Sequence, residues 1–201
     1  GWSPGDDREN ISMKELTELF TVEKVHSSPA RFDMKKLEAI NGDKIRALSV
    51  EDFAHWTIPF LKKSGVIQGT EAEIALVKQA LPLIQERIVK LDEAPQLLKF
   101  LFVKDFAIDS DAVSKVNDES AQSILKRAQS ELEQLSTWNH ESIEAALRTS
   151  LIEEMGLKPR IAFTALRIAT TGSTISPPLF ESMELLGKQA CLARISLALS
   201  L

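Results

Sequence analysis

Cysteine, tyrosine and chain-breaking residues are scarce in this sequence. Its 201 residues hold one Cys, no Tyr, eight Gly and eight Pro. The lone Cys191 excludes an internal disulfide and fits a reducing cytoplasm. Gly and Pro together reach about two-thirds of their average share, which leans the chain towards helix. No apolar run approaches the ~18 residues of a membrane span, and no basic, apolar-cored leader opens the chain. An excess of positive charge is missing too: 24 Lys and Arg against 29 Asp and Glu leave a net charge of -5. A generic polyanion binder is strongly basic, so DNA is not an expected partner and any RNA site has to be local. Residues 1–120 carry the whole imbalance, whereas residues 121–201 sum to zero.

Catalytic motifs are absent as well. The three histidines (His26, His55, His140) and Cys191 stand far apart, with no CxxC, HxxxH or HExxH spacing for a metal. There is no P-loop, no GxGxxG fingerprint and no GxSxG elbow. The adjacent pair Glu153-Glu154 points about 100° apart on a helix and reads as solvated. The first residue is Gly1 rather than Met, which suggests a piece of a longer protein.

What is there is helical grammar. A 44% hydrophobic and 26% charged composition suits a folded chain. Ser12–Glu15, Ser49–Asp52 and Thr70–Glu73 set a hydroxyl three residues before a carboxylate, the spacing of a helix N-terminal capping box. Asp33 is expected to cap a helix ending at Gly42, with Phe32 and Leu37 in the core. Residues 70–91 read as one long helix that Pro82 kinks or splits, followed by a shorter helix over 95–103. An acidic, turn-like stretch covers 104–111, with a domain boundary near 104. Helix is expected again over 118–135. Further helices run from Asn139 or Ser142 to Gly156, from Pro159 to Thr171-Gly172, from an N-cap at Ser176 with Pro177 at N1 to Gly187, and from Lys188 towards Leu199. With no strand alternation and no repeat, the class is all-α.

Three stretches carry a family resemblance. Gly1-Trp2-Ser3-Pro4-Gly5-Asp6-Asp7 resembles the LGWS segment that follows the catalytic signature loop of glutamyl-tRNA synthetases. The stretch from Ser28 through Phe32-Asp33, Lys36-Leu37 and Asn41 to Ile45-Arg46 is similar to that family's SxAxFDxxKLxxxNxxxIR pattern. The stretch from Leu166-Arg167 through Thr171-Gly172, Ser176-Pro177 and Leu179-Phe180-Glu181 to Gly187 resembles its LRxAxTGxxxSPxLFExxxxLG pattern. The matches are in order and strong at both ends, and weak between about 52 and 137.

The resemblance implies a C-terminal part of a bacterial-type, class I glutamate–tRNA ligase: the end of the stem-contact domain over 1–48, then two helical anticodon-binding domains over 49–103 and 104–201. The HIGH-like and KMSKS-like motifs that bind ATP and activate glutamate are absent, so catalysis, ATP and Mg2+ are expected of the parent and not of this chain. The implied partners are tRNA(Glu) and the catalytic half of the same polypeptide, in a cytoplasmic monomer. Whether the parent also charges tRNA(Gln) stays open.

Unstacked anticodon bases need flat or apolar surfaces and donors facing their edges, and the planar guanidinium of Arg suits that task. By family position Arg167, Arg148, Ser176, Pro177, Leu179 and Arg87 are expected at the anticodon, and Lys36 and Arg46 along the tRNA backbone, within a basic segment that also holds Arg31, Lys35 and Lys44. The plainer readings are helix-surface arginines, an ion pair of Arg87 with Glu86 or Asp92, a solvated face at 31–46, and packing anchors for Trp2, Trp56 and Trp138. The competing function is a helical protein–protein interaction module without RNA binding, which the acidic balance favours.

Overall fold

The computed structural model describes residues 1–6, 8, 11–27 and 32–201; Asp7, Glu9, Asn10 and the Ser28–Arg31 part of the second stretch lie outside the described residues. Among the described residues the structure is helix and connecting turn, with no strand. In chain order these are α1 (Met13–Leu19), α2 (Met34–Arg46), α3 (Val50–Lys63), α4 (Glu71–Ala80), α5 (Pro82–Gln85), α6 (Ala94–Leu98), α7 (Glu119–Gln134), α8 (His140–Leu147), α9 (Pro159–Thr171), α10 (Leu179–Leu186) and α11 (Lys188–Leu199).

Local chemistry explains most of the starts. Ser12 and Thr70 each form a complete capping box with the Glu three residues on, and Ser49 accepts from the Asp52 amide. Asp33, Asp118 and Asn139 accept from the third amide of α2, α7 and α8, so Asn139 rather than Ser142 is the cap of α8. Pro82 splits the 70–91 segment into α4 and α5. Helix ends there at Gln85, short of the expected 91.

Two apolar cores follow. The first gathers Phe53 and Leu61 of α3, Val77 of α4, Ile84, Ile88 and Leu98, with Ile45 at the end of α2. The second gathers Leu125 and Leu132 of α7, Leu147 of α8, Leu151, Leu166 of α9, Met183 of α10, and Cys191 and Ile195 of α11. Cys191 is fully buried, and burial pushes its thiol pKa up to about 12. Trp138 acts as an anchor of this core, its indole N–H donating to Met183 O at 3.0 Å. α10 touches α4, and its Leu185 packs on the first core, so the two cores share a seam. No helix among the described residues is long and apolar enough to cross a membrane.

Several expectations need correction. α2 does not stop at Gly42 but runs through it to Arg46. A Cβ on Gly42 would sit 3.1 Å from Val89, and Asn41 donates to Val89 O, so this glycine permits close packing rather than ending a helix. Phe32 and Leu37 are 72% and 46% exposed instead of buried. The buried positions of α2 are confined to Gly42 and Ile45. A three-to-four spacing defines an apolar face; it does not supply the surface that covers it. The expected helix over 95–103 is the five residues of α6 followed by a 3-10 turn, Lys99–Leu101. The helix expected to reach Gly156 is α-helical only to Leu147 and widens into a π-helical segment, Arg148–Glu154. Glu154 is not merely solvated, since it pairs with Arg127.

The start of α10 is the last correction. Ser176 is not its N-cap; Pro178 occupies that position, and the helix opens at Leu179. The α region is disfavoured for a residue before proline, which favours an extended Pro177 ahead of Pro178 and a helix that opens after it. Ser176 is thereby released for a different use.

Candidate nucleic-acid interface

α9 carries the centre of the site. Pro159 sits at its first position, where the missing N–H costs nothing, and Gly172 ends it in the left-handed conformation at φ 82°. Arg167 lies one turn before that end and is half-buried. Its Nη1 donates to Ser176 Oγ at 2.5 Å and to Pro177 O at 2.9 Å, and Ser176 Oγ donates in turn to Pro177 O at 2.9 Å. No carboxylate among the described residues pairs with it. Burial lowers the Arg167 pKa, and the nearby charge of Arg87 lowers it further. Arginine nevertheless stays protonated in proteins.

That electrostatic coupling brings in a residue 80 positions away in sequence. Arg87 follows α5 and is exposed, and the ion pair expected with Glu86 or Asp92 is not formed. The charge of Arg87 thus reaches Arg167, and no carboxylate among the described residues pairs with either. Like charges held together without a counter-charge raise the local potential and draw in an anion.

Arg148 borders the same face. It begins the π-helical segment, bonds Glu144 Oε1 through Nε at 2.6 Å, and holds its guanidinium 5.5 Å from the centre of the Phe163 ring. Phe163 precedes Arg167 by one helical turn and meets Phe180 of α10 edge-on at 5.2 Å. Unpaired bases stack on aromatic faces and on guanidinium planes. Neither Phe163 nor Phe180 was singled out from the sequence. The i, i+4 relation to Arg167 could have pointed to Phe163, whereas Phe180 arrives only through tertiary packing.

The remaining candidates divide. Ser176 and Pro177 are buried beside Arg167, and Leu179 is 4% exposed within the second core. What this corner can offer outward is the Ser176–Pro177 acceptor pair and the free amides that open α10, not the Leu179 side chain. Lys36 and Arg46 lie on α2, whose last turn accepts from Gln85 Nε2 at Ile45 O. The Lys36 backbone N–H donates to Asp33 Oδ1 at 3.1 Å, and Arg46 pairs with Asp43 at 2.6 Å. Arg31 is outside the described residues. Trp56 is exposed beside His55, and Trp2 packs on Phe20. Among the described residues no three His, Cys, Asp or Glu side chains gather as a metal site.

These features define a helical module in which Arg148 and Arg167 lie beside Phe163 and the start of α10. Residues 51–199 match the family described as anticodon binding domain, and the chain belongs to that family. Among curated relatives it is 45% identical to a glutamate–tRNA ligase of Saccharopolyspora erythraea over 97% of this chain and 39% of that protein. It is 46% identical to the Leifsonia xyli subsp. xyli glutamate–tRNA ligase over 97% of this chain and 41% of that protein. The chain thus spans about two-fifths of the length of these relatives. A crystal structure of a glutamate tRNA ligase from Elizabethkingia meningosepticum covers 100% of the chain with a TM-score of 0.80 at 24% identity, which establishes the shared fold.

Proposed function

We propose that this chain is the tRNA-reading part of a glutamate–tRNA ligase and that it selects tRNA(Glu) at the anticodon. The observation that carries the reading is Arg167, half-buried without a carboxylate partner among the described residues, hydrogen-bonded to Ser176 and Pro177, and within reach of the Arg87 charge. In this reading Arg167 and Arg87 offer donors to unpaired bases and their phosphates. Arg148, with Phe163 and Phe180, forms a stacking edge, and the Ser176–Leu179 corner supplies backbone groups. Lys36 and Arg46 follow the tRNA backbone from α2. The division 1–48, 49–103 and 104–201 gains support from the two separate cores, although Ile45 and Leu48 already pack into the first. In the parent, a cytoplasmic monomer, the catalytic half joins glutamate to the tRNA. In this reading ATP and Mg2+ belong to that half. The protein–protein reading has no comparable support once the family is assigned.

The test is a titration of the chain with tRNA(Glu) and with an anticodon-altered version, at low and moderate salt. Preference for the native anticodon, with affinity falling as salt rises, is the expected result. Equal affinity for both RNAs, or salt-independent binding, overturns the reading.

A further inference from the structure

Arg194 on α11 is buried, yet no carboxylate among the described residues neutralises it. Both terminal nitrogens of its fork are engaged by the protein itself. Nη1 donates to Thr170 O at 2.7 Å, Nη2 donates to Phe100 O at 2.8 Å, and the guanidinium lies 4.1 Å from the centre of the Phe106 ring. Thr170 O belongs to the last turn of α9, and Phe100 O to the 3-10 turn after α6. Both are carbonyls of the kind that helix ends leave without an internal donor, where a cation is favoured.

The two acceptors are on opposite sides of the seam. Thr170 stands three residues after Arg167. Phe100 follows α6, whose Leu98 packs in the same core as Ile84 and Ile88 on either side of Arg87. The chain between the cores is fastened at the same place: Asp109 N–H donates to Gly172 O at 2.8 Å, and Lys99 pairs with Asp109 at 3.6 Å. A Cβ on Gly172 would lie 2.7 Å from Ala107 O and 3.3 Å from the Phe106 ring. Phe106 is thus held between the guanidinium and the end of α9.

We propose that Arg194 is a positioning residue for RNA selection: by bridging Thr170 O and Phe100 O it sets how far Arg87 stands from Arg167. This rests on the anticodon reading above. A single planar fork that reaches two carbonyls and lies on a ring is a task for arginine, because an ammonium is a point charge on a flexible stem. The side chain touches no RNA, so its removal acts on the geometry of the pair and not on the charge facing the ligand.

The experiment compares binding of the anticodon stem-loop RNA of tRNA(Glu) with the same RNA carrying an altered anticodon, for the unchanged chain, Arg194→Lys, Arg194→Met and Phe106→Leu. The unchanged chain must discriminate; if it does not, the anticodon reading fails and not this one. Given discrimination, Arg194→Met is expected to reduce the native-to-altered affinity ratio at least about tenfold while leaving the affinity for the altered RNA in place. Arg194→Lys and Phe106→Leu should fall between. Arg87→Ala should lower the ratio in the unchanged chain and lower it little further in the Arg194→Met background. A folded Arg194→Met chain with an unchanged ratio, or one that loses affinity for both RNAs equally, overturns the proposal. Should Arg194→Met fail to fold, unchanged ratios in both Arg194→Lys and Phe106→Leu overturn it in the same way.

Discussion

Replacing Arg167 with Ala removes two hydrogen bonds from a charged donor, to Ser176 Oγ and Pro177 O. Charged hydrogen bonds contribute about 1.5–3 kcal/mol each at most. Here Ser176 Oγ continues to donate to Pro177 O, and the repulsion from Arg87 disappears. The net cost to folding is therefore about 1–2 kcal/mol, or about 2–8 °C in thermal midpoint for a chain of this size. The cost to RNA binding is separate. Losing a guanidinium that faces a base costs about 1–3 kcal/mol, about 5- to 150-fold in affinity for the native anticodon. The affinity for an anticodon-altered RNA should hardly change. Arg167→Lys keeps the charge and loses the fork, so it should keep general affinity and lose preference. Fluorescence titration well below the thermal midpoint, with helicity checked by circular dichroism, measures both quantities. A folded Arg167→Ala chain within twofold of the original on native RNA refutes the role. An equal loss on both RNAs reduces it to a phosphate contact.

Three other outcomes follow from the same geometry. Binding through two or three of Arg87, Arg148 and Arg167 predicts a log affinity against log salt slope between about -1.4 and -2.1 for a single-stranded loop, and a slope near zero contradicts phosphate contact altogether. His140 Nδ1 lies 2.7 Å from Glu184 Oε2, and this hydrogen bond raises the His140 pKa and lowers that of Glu184. The histidine contribution is complete below the ordinary value and is lost as pH rises through the raised one; the carboxylate contribution is lost as pH falls through its lowered value. An NMR titration should place the His140 midpoint above about 6.5 and return it towards that value in Glu184→Gln; a midpoint at or below the ordinary value counts against the pair. Gly172→Ala forces a side chain into left-handed backbone against Ala107 O. It should lower stability by at least about 1–2 kcal/mol, which a urea titration reads directly, and an unchanged midpoint rejects the close approach.

Helix existence was legible because caps and breakers act within four residues. Ser12, Ser49, Thr70, Asp118 and Asn139 state their helix starts in short-range hydrogen bonds. Where the local signal competed with a longer-range one, it misled. Gly42 looks like a terminator until Val89 is seen against it, and Ser176 looks like a cap until Arg167 claims its hydroxyl. The π-helical turn at Arg148–Glu154 has no sequence signature that distinguishes it from α-helix.

By itself, then, the sequence determined an all-α chain, the order and most ends of its helices, and a resemblance that located Arg167, Arg148 and the Ser176–Leu179 corner. These rest on periodicity, capping and motif, all of which operate along the chain. Tertiary structure alone decided that the charge of Arg87 reaches Arg167, that Phe163 and Phe180 join Arg148, that Leu179 turns into the core, and that Arg194 ties the two sides together. Each of these depends on groups that the sequence separates by many residues. Burial and the need to satisfy orphaned carbonyls and hydroxyls chose among partners that spacing could not distinguish.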